Sequence, residues 1–193
     1  PLIDKVSHYP LIPNSNDDVL IKLKIANFTK FERLGAVLFW RVDGSREDFI
    51  SAKMETDDGE TFYSNIPPQK SKSVIEFFFA VSSDEDQSRQ WPPSIPGEGN
   101  SCNYLYLVDD EHEYNETVPN YYVVMTEEER AELEEIGRRS SQSDSNAEMN
   151  CTFISFDGKG SRVRYLSSIR NRGASSRNGP PNNHLIKFRS DDP

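Results

Sequence analysis

A chain of 193 residues with a net charge of −10 has room for one large domain or two small ones. Its hydrophobic content, 35%, is low for a single filled core and implies long polar connections beside the folded parts. The first 120 residues hold 21 acidic and 11 basic side chains, which excludes nucleic acid as their partner, because that binding is driven by neutralising phosphates; no apolar run reaches the roughly 18 residues of a membrane-spanning helix.

Short strands separated by turn signals fill residues 1–108. One is expected near Lys5 to His8. Val19, Ile21, Leu23 and Ile25 then alternate with Lys22, Lys24 and Ala26, the period of a strand with one buried face. Gly35 to Val42 places Ala36, Leu38, Trp40 and Val42 on one side, and Phe49 to Met54 follows, ending at an Asp57-Asp58-Gly59 turn. Thr61 to Ile66 and Val74 to Val81 are separated by Pro67-Pro68, and Asn103 to Val108 comes after a loop rich in Pro and Gly. About seven strands at this spacing read as an immunoglobulin-like or fibronectin-type β-sandwich without helices. Trp40, Phe77 and Phe79 read as its core rather than a ligand platform.

Asp109 to Asn120 reads as an acidic linker. Beyond it, in residues 121–193, Tyr121 to Met125 is a short strand, and Thr126-Glu127-Glu128-Glu129 is a capping box opening a helix to about Ile136, with Gly137 as its C-cap. The helix glutamates form a solvated face. Arg138 to Glu148 is polar and Ser-rich. Cys151 to Phe156, Val163 to Arg170 and His184 to Arg189 supply three more strands, which makes an α+β unit with few large apolar side chains. The chain is therefore mainly β. It opens on Pro1 without an initiator Met and ends on Ser190-Asp191-Asp192-Pro193 straight after a strand, so we expect a processed piece, cut within its last domain.

The chemistry-bearing residues are sparse. Cys102 and Cys151 match no zinc or redox spacing; they are either two free buried thiols or one disulfide between the two parts. Three histidines, His8, His112 and His184, are too few for a metal site, and the carboxylates at Asp57-Asp58 and Asp109-Asp110-Glu111 lack the alternating oxygen ligands of a calcium loop. Sequons at Asn27, Asn115 and Asn150 matter only in a eukaryotic secretory pathway. No nucleophile elbow, phosphate-binding Walker loop or paired catalytic Cys and His is present. What remains is a basic stretch. Between Lys159 and Arg189 lie eight Lys and Arg and no Asp or Glu. Flexible Gly, hydroxyls and forked guanidinium groups on one loop suit a phosphate; the alternative is a solvated basic hairpin, its charge paired with helix glutamates such as Glu132 and Glu135.

Tyr122-Val123-Val124-Met125-Thr126, the acidic helix, Ile169-Arg170-Asn171-Arg172-Gly173-Ala174-Ser175-Ser176-Arg177 and Ile186-Lys187-Phe188 together resemble the opening of a CotH-type domain, the spore-coat family with a divergent protein-kinase-like fold. The resemblance covers about residues 120–193. It implies an incomplete, kinase-like α+β N-lobe after the sandwich, in a secreted or cell-surface bacterial protein. Arg170, Arg172, Gly173, Ser175, Ser176, Arg177, Asn183 and Lys187 are the candidate ATP or phosphate contacts it implies. ATP and Mg are the cofactors implied for an intact protein and neither is expected on this chain alone, since the family's catalytic and metal-binding aspartates correspond to positions after 193. The family's paired lysines fall where this chain has Pro181-Asn182-Asn183, which exchanges charge for hydrogen bonding. The implied partner is a protein substrate or a cell-surface polymer, and the chain is expected to be a monomer. The reading from a different class is a non-catalytic surface or adhesion module that recognises polysaccharide or protein through the sandwich.

Overall fold

The computed structural model describes residues 2–26, 34–83, 88–93, 102–113, 118–138, 144–173, 177 and 182–190. It divides the chain into two compact units, Pro1–Glu113 and Tyr114–Pro193. Strands predominate, with one helix among the described residues.

The first unit contains β1 (Leu2–Tyr9), β2 (Val19–Ala26), β3 (Leu34–Val42), β4 (Ile50–Lys53), β5 (Glu55–Thr56), β6 (Thr61–Ile66), β7 (Val74–Ser83), β8 (Ser88–Trp91) and β9 (Tyr104–Leu107). All pairs are antiparallel. One sheet has the order β1-β2-β6-β5; the other runs β4-β3-β7, with β8 and β9 successively along the far edge of β7. The alternation in β2 buries Val19, Ile21, Leu23 and Ile25 and leaves Lys22 and Lys24 outside. The opposing sheet buries Ala36, Leu38 and Trp40 from β3 and Ile75, Phe77, Phe79 and Val81 from β7. Two sheets with one buried face each are the arrangement of a β-sandwich. Phe77 is the hub of its aromatic core: it stacks on Tyr104 at 5.3 Å, meets Phe79 edge-on at 5.8 Å and lies 6.1 Å from Tyr106. No helix occurs among the described residues of this unit.

Two polar features of the sandwich are held by specific partners. Glu76, inside the apolar run of β7, is buried, and its carboxylate accepts from Arg41 Nε at 2.6 Å and Asn103 Nδ2 at 2.8 Å, which compensates its desolvation. The acidic stretch after residue 108 is not wholly a linker. Asp109 accepts from Lys72 Nζ at 2.5 Å, and Asp110 accepts from the backbone N–H and hydroxyl of Ser15 at 2.6 and 2.8 Å, which binds Asp109 to Glu113 into the first unit. Asp57-Asp58 forms a turn: Asp58 Oδ1 accepts from the N–H groups of Glu60 and Thr61, and those bonds hold its carboxyl down at about 2.

The second unit is a four-stranded antiparallel sheet in the order β10 (Asn120–Val124), β11 (Met149–Phe156), β12 (Ser161–Asn171), β13 (His184–Lys187), with α1 (Glu127–Gly137) packed on one face. Thr126 caps the helix, its hydroxyl accepting from Glu129 N, as the sequence signature requires. Leu133 and Ile136 from α1 pack on Met149, Cys151 and Ile169, with Met125 and Ile186 at the margin. Gly137 is the last helical residue rather than a left-handed cap. Its value is space: a Cβ there would lie 2.1 Å from Asn182 Nδ2 and 3.2 Å from Asn171 Nδ2. Between Cys151 and Phe153 the β11–β12 register shifts, and Leu166 takes a left-handed φ of 50° in the bulge. No helix among the described residues is long and apolar enough to cross a membrane.

Candidate functional site

The basic hairpin is built by β12 and β13, which pair Ser168 with Lys187, Ile169 with Ile186 and Asn171 with His184. Its connection is closed at the base by Arg172 N–H donating to Asn183 O at 2.8 Å. Gly173 has φ 108°, a left-handed conformation that turns the chain out of β12 and that a Cβ would oppose. Ser175 and Ser176, two candidate contacts, lie outside the described residues.

Cations from both strands converge on one carboxylate. Glu148, immediately before β11, accepts at Oε1 from Lys187 Nζ and at Oε2 from Ser168 Oγ at 2.7 Å, and Arg170 Nε stands 3.8 Å from Oε1. The Lys187 contact, followed by that of Ser168, holds the Glu148 carboxyl below the usual carboxylate range. Glu148 thus supplies the counter-charge that Lys187 and Arg170 share, while Glu127, Glu134 and Glu135 of the helix pair with Arg130 and Arg138.

Arg177 has a different role from the one expected. It is 8% exposed, and its Nη2 donates to Ser145 O at 2.7 Å, Asn146 Oδ1 at 3.1 Å and Asn171 O at 3.2 Å. Arg170 Nη1 donates to the same Asn146 Oδ1 and Asn171 O, each at 3.1 Å. Arg177 therefore ties the loop to residues 145–146 instead of standing ready for a ligand. Asn171 is buried too, its Nδ2 donating at 2.8 Å to Leu133 O of α1, which ties the end of β12 to the helix. Arg172 is exposed, and its guanidinium has no recorded partner among the described residues. Asn183 and His184 are exposed, and Asn183 contributes its carbonyl to the base of the loop.

Of the sequence candidates, then, Arg170 and Lys187 are brought together, Arg172 stands beside them along the chain, and Arg177 is structural. Glu148, Ser168, Asn146 and Asn171 were not legible as parts of the site. Glu148 lies 39 residues from Lys187, and only the strand register brings the two side chains together.

Of the two readings of the cysteines, the structure has both thiols free, though only one of them is buried. Cys102 is exposed and belongs to the first unit, whereas Cys151 is fully buried in the core of the second, against Leu133, Ile136, Met149 and Ile169. Burial, with a smaller effect from Glu129, pushes the Cys151 thiol up to about 12. Cys151 should accordingly resist iodoacetamide in the folded protein and react once it is unfolded. Peptide mapping checks this, and rapid native labelling of Cys151 would contradict its place in the core. The Asn150-Cys151-Thr152 sequon lies in the same buried strand, which leaves no room for a glycan; the other two sequons begin outside the described residues. No group of three or more His, Cys, Asp or Glu among the described residues could hold a metal ion.

No protein-family model matches the chain, and no curated protein matches it.

Proposed function

We propose that the second unit is the phosphate-facing part of an ATP-dependent, CotH-like kinase lobe, and that the sandwich is an accessory module of immunoglobulin type. The observation that carries this reading is the convergence of Lys187, Arg170 and Ser168, from two adjacent strands, on a single anionic group, with the exposed Arg172 two residues beyond Arg170. An ammonium, a guanidinium and a hydroxyl around one anion are the donor set that binds a phosphate. The resemblance of the Arg-Gly-Ser-Ser element and Ile186-Lys187-Phe188 to the CotH family supports it, as it does a secreted or cell-surface location. The strand order of the first unit, A-B-E-D against C′-C-F-G in immunoglobulin lettering, supports the module assignment. The donor set fits the phosphates of ATP. The described residues offer no carboxylate cluster for the accompanying Mg, whose ligands in this reading are aspartates beyond residue 193.

In a protein that carries this unit together with those aspartates, Arg172→Ala or Lys187→Ala should weaken ATP binding about ten- to a hundredfold, the worth of one charge-assisted hydrogen bond. Calorimetric titration with Mg-ATP reads this directly. Unchanged affinity in both variants would remove the hairpin from the nucleotide site. One observation favours the second reading, a non-catalytic module for polysaccharide or protein: Lys187 and Arg170 are already engaged by Glu148, and Arg177 by backbone carbonyls. Phosphotransfer by the intact protein decides between the two.

A further inference from the structure

We infer that Glu148 is the resident anion of the hairpin's cation site, and that a phosphate-bearing ligand enters by displacing it. This rests on the phosphate-binding reading of the hairpin and adds to it an internal competitor that sets the affinity. Three features of the molecule lead there. The first is the donor set. Lys187 Nζ, Ser168 Oγ and Arg170 Nε reach both oxygens of one carboxylate from two strands, so the position an anion would take between them is held by Glu148. The second is charge. Glu148 offsets one of the two cations it meets, and Arg172 adds a third with no recorded partner among the described residues. A polyphosphate, carrying several charges and three acceptor oxygens on its terminal group, satisfies that excess better than a single carboxylate does.

The third is access. The Lys187 and Glu148 side chains are 53% and 32% exposed, so solvent screens their attraction and a solute can reach it. Glu148 also ends a stretch without regular structure, residues 145–148, before β11 begins. It can leave the cations without breaking the β11–β12 ladder, which starts at Met149. Arg177, by contrast, is buried against Ser145 and Asn146 and remains in place as the ligand enters.

The test titrates sodium tripolyphosphate into the 193-residue chain at low ionic strength, comparing the wild type with Glu148→Gln and Glu148→Ala. Both variants remove the competing charge, and glutamine preserves the shape and the bond to Ser168. Each should bind tripolyphosphate about three- to tenfold more tightly than the wild type, and the gain should shrink as salt is added. Lys187→Met in the Glu148→Gln background should abolish it. Binding by the wild type that is equal to or tighter than that of both variants overturns the displacement inference alone, because Glu148 then only positions Lys187. Metal-free tripolyphosphate needs only the hairpin cations and no Mg ligands, so no binding by any of the proteins overturns the phosphate reading of the hairpin, and the inference with it.

Discussion

Phe77→Ala should destabilise the first unit by about 3–5 kcal/mol, the usual cost of truncating a large aromatic side chain in a packed core. Phe77 is fully buried, and its ring lies within 6.1 Å of those of Phe79, Tyr104 and Tyr106. β7 sits between β3 and the β8/β9 edge, so the cavity opens at the centre of its sheet, where collapse from one side cannot fill it. Both tryptophans, Trp40 and Trp91, belong to this unit, so fluorescence-detected urea unfolding reports on it selectively. The midpoint should fall sharply with little change in slope. A loss below about 1 kcal/mol would mean that the aromatic core repacks around the gap.

The same unit should lose stability in mild acid through one residue. His8 is buried, with Nε2 bonded to Leu11 O at 2.8 Å and its ring stacked on Tyr106 at 5.1 Å. Desolvation lowers its pKa from 6.5 to about 4, only partly offset by the Leu11 contact. The folded state therefore stays neutral where the unfolded chain takes up a proton. Stability conferred by the neutral ring is fully present above about pH 6.5 and falls steadily between 6.5 and 4. Below 4 both states are protonated and the loss levels off. A shift of this size amounts to about 3 kcal/mol over the window. Carboxylates held low in the fold, such as Asp109, lose their contribution only at lower pH, as protonation reaches them. His8→Gln separates the two effects, because the variant cannot titrate there. Urea midpoints measured from pH 7 to pH 4.5 should drop more steeply for the wild type than for the variant, and parallel profiles would show that the ring is solvated.

Alternation made most strands readable: β2, β3, β6 and β7 fall within a few residues of where Val, Ile, Leu and Phe recur at every second position. β8 was invisible because Ser88-Arg89-Gln90 has no apolar period; it is a strand because β7 offers it a backbone edge. Thr126 announced the start of the helix through a local hydrogen bond. Gly137 misled about its end, because glycine there answers to the crowding of Asn171 and Asn182, which lie 34 and 45 residues further along the chain. The acidic run after Val108 read as solvated linker since its partners, Lys72 and Ser15, are distant in sequence. The site followed the same rule. Composition located the cations of the hairpin, but their counter-charge at Glu148 depends on the register of β11, β12 and β13, which no local pattern encodes.

The ties at the base of the hairpin connection bear on how tightly a ligand could be held. Arg172 N–H is bonded to Asn183 O, Asn182 is wedged against Gly137, and Arg177 is anchored to Ser145 and Asn146. These contacts are made within the chain itself, so the conformational entropy of shaping the connection's ends is lost during folding. An anion that reaches Arg172 meets a backbone already ordered on either side of the turn, and its affinity is spared that part of the ordering penalty.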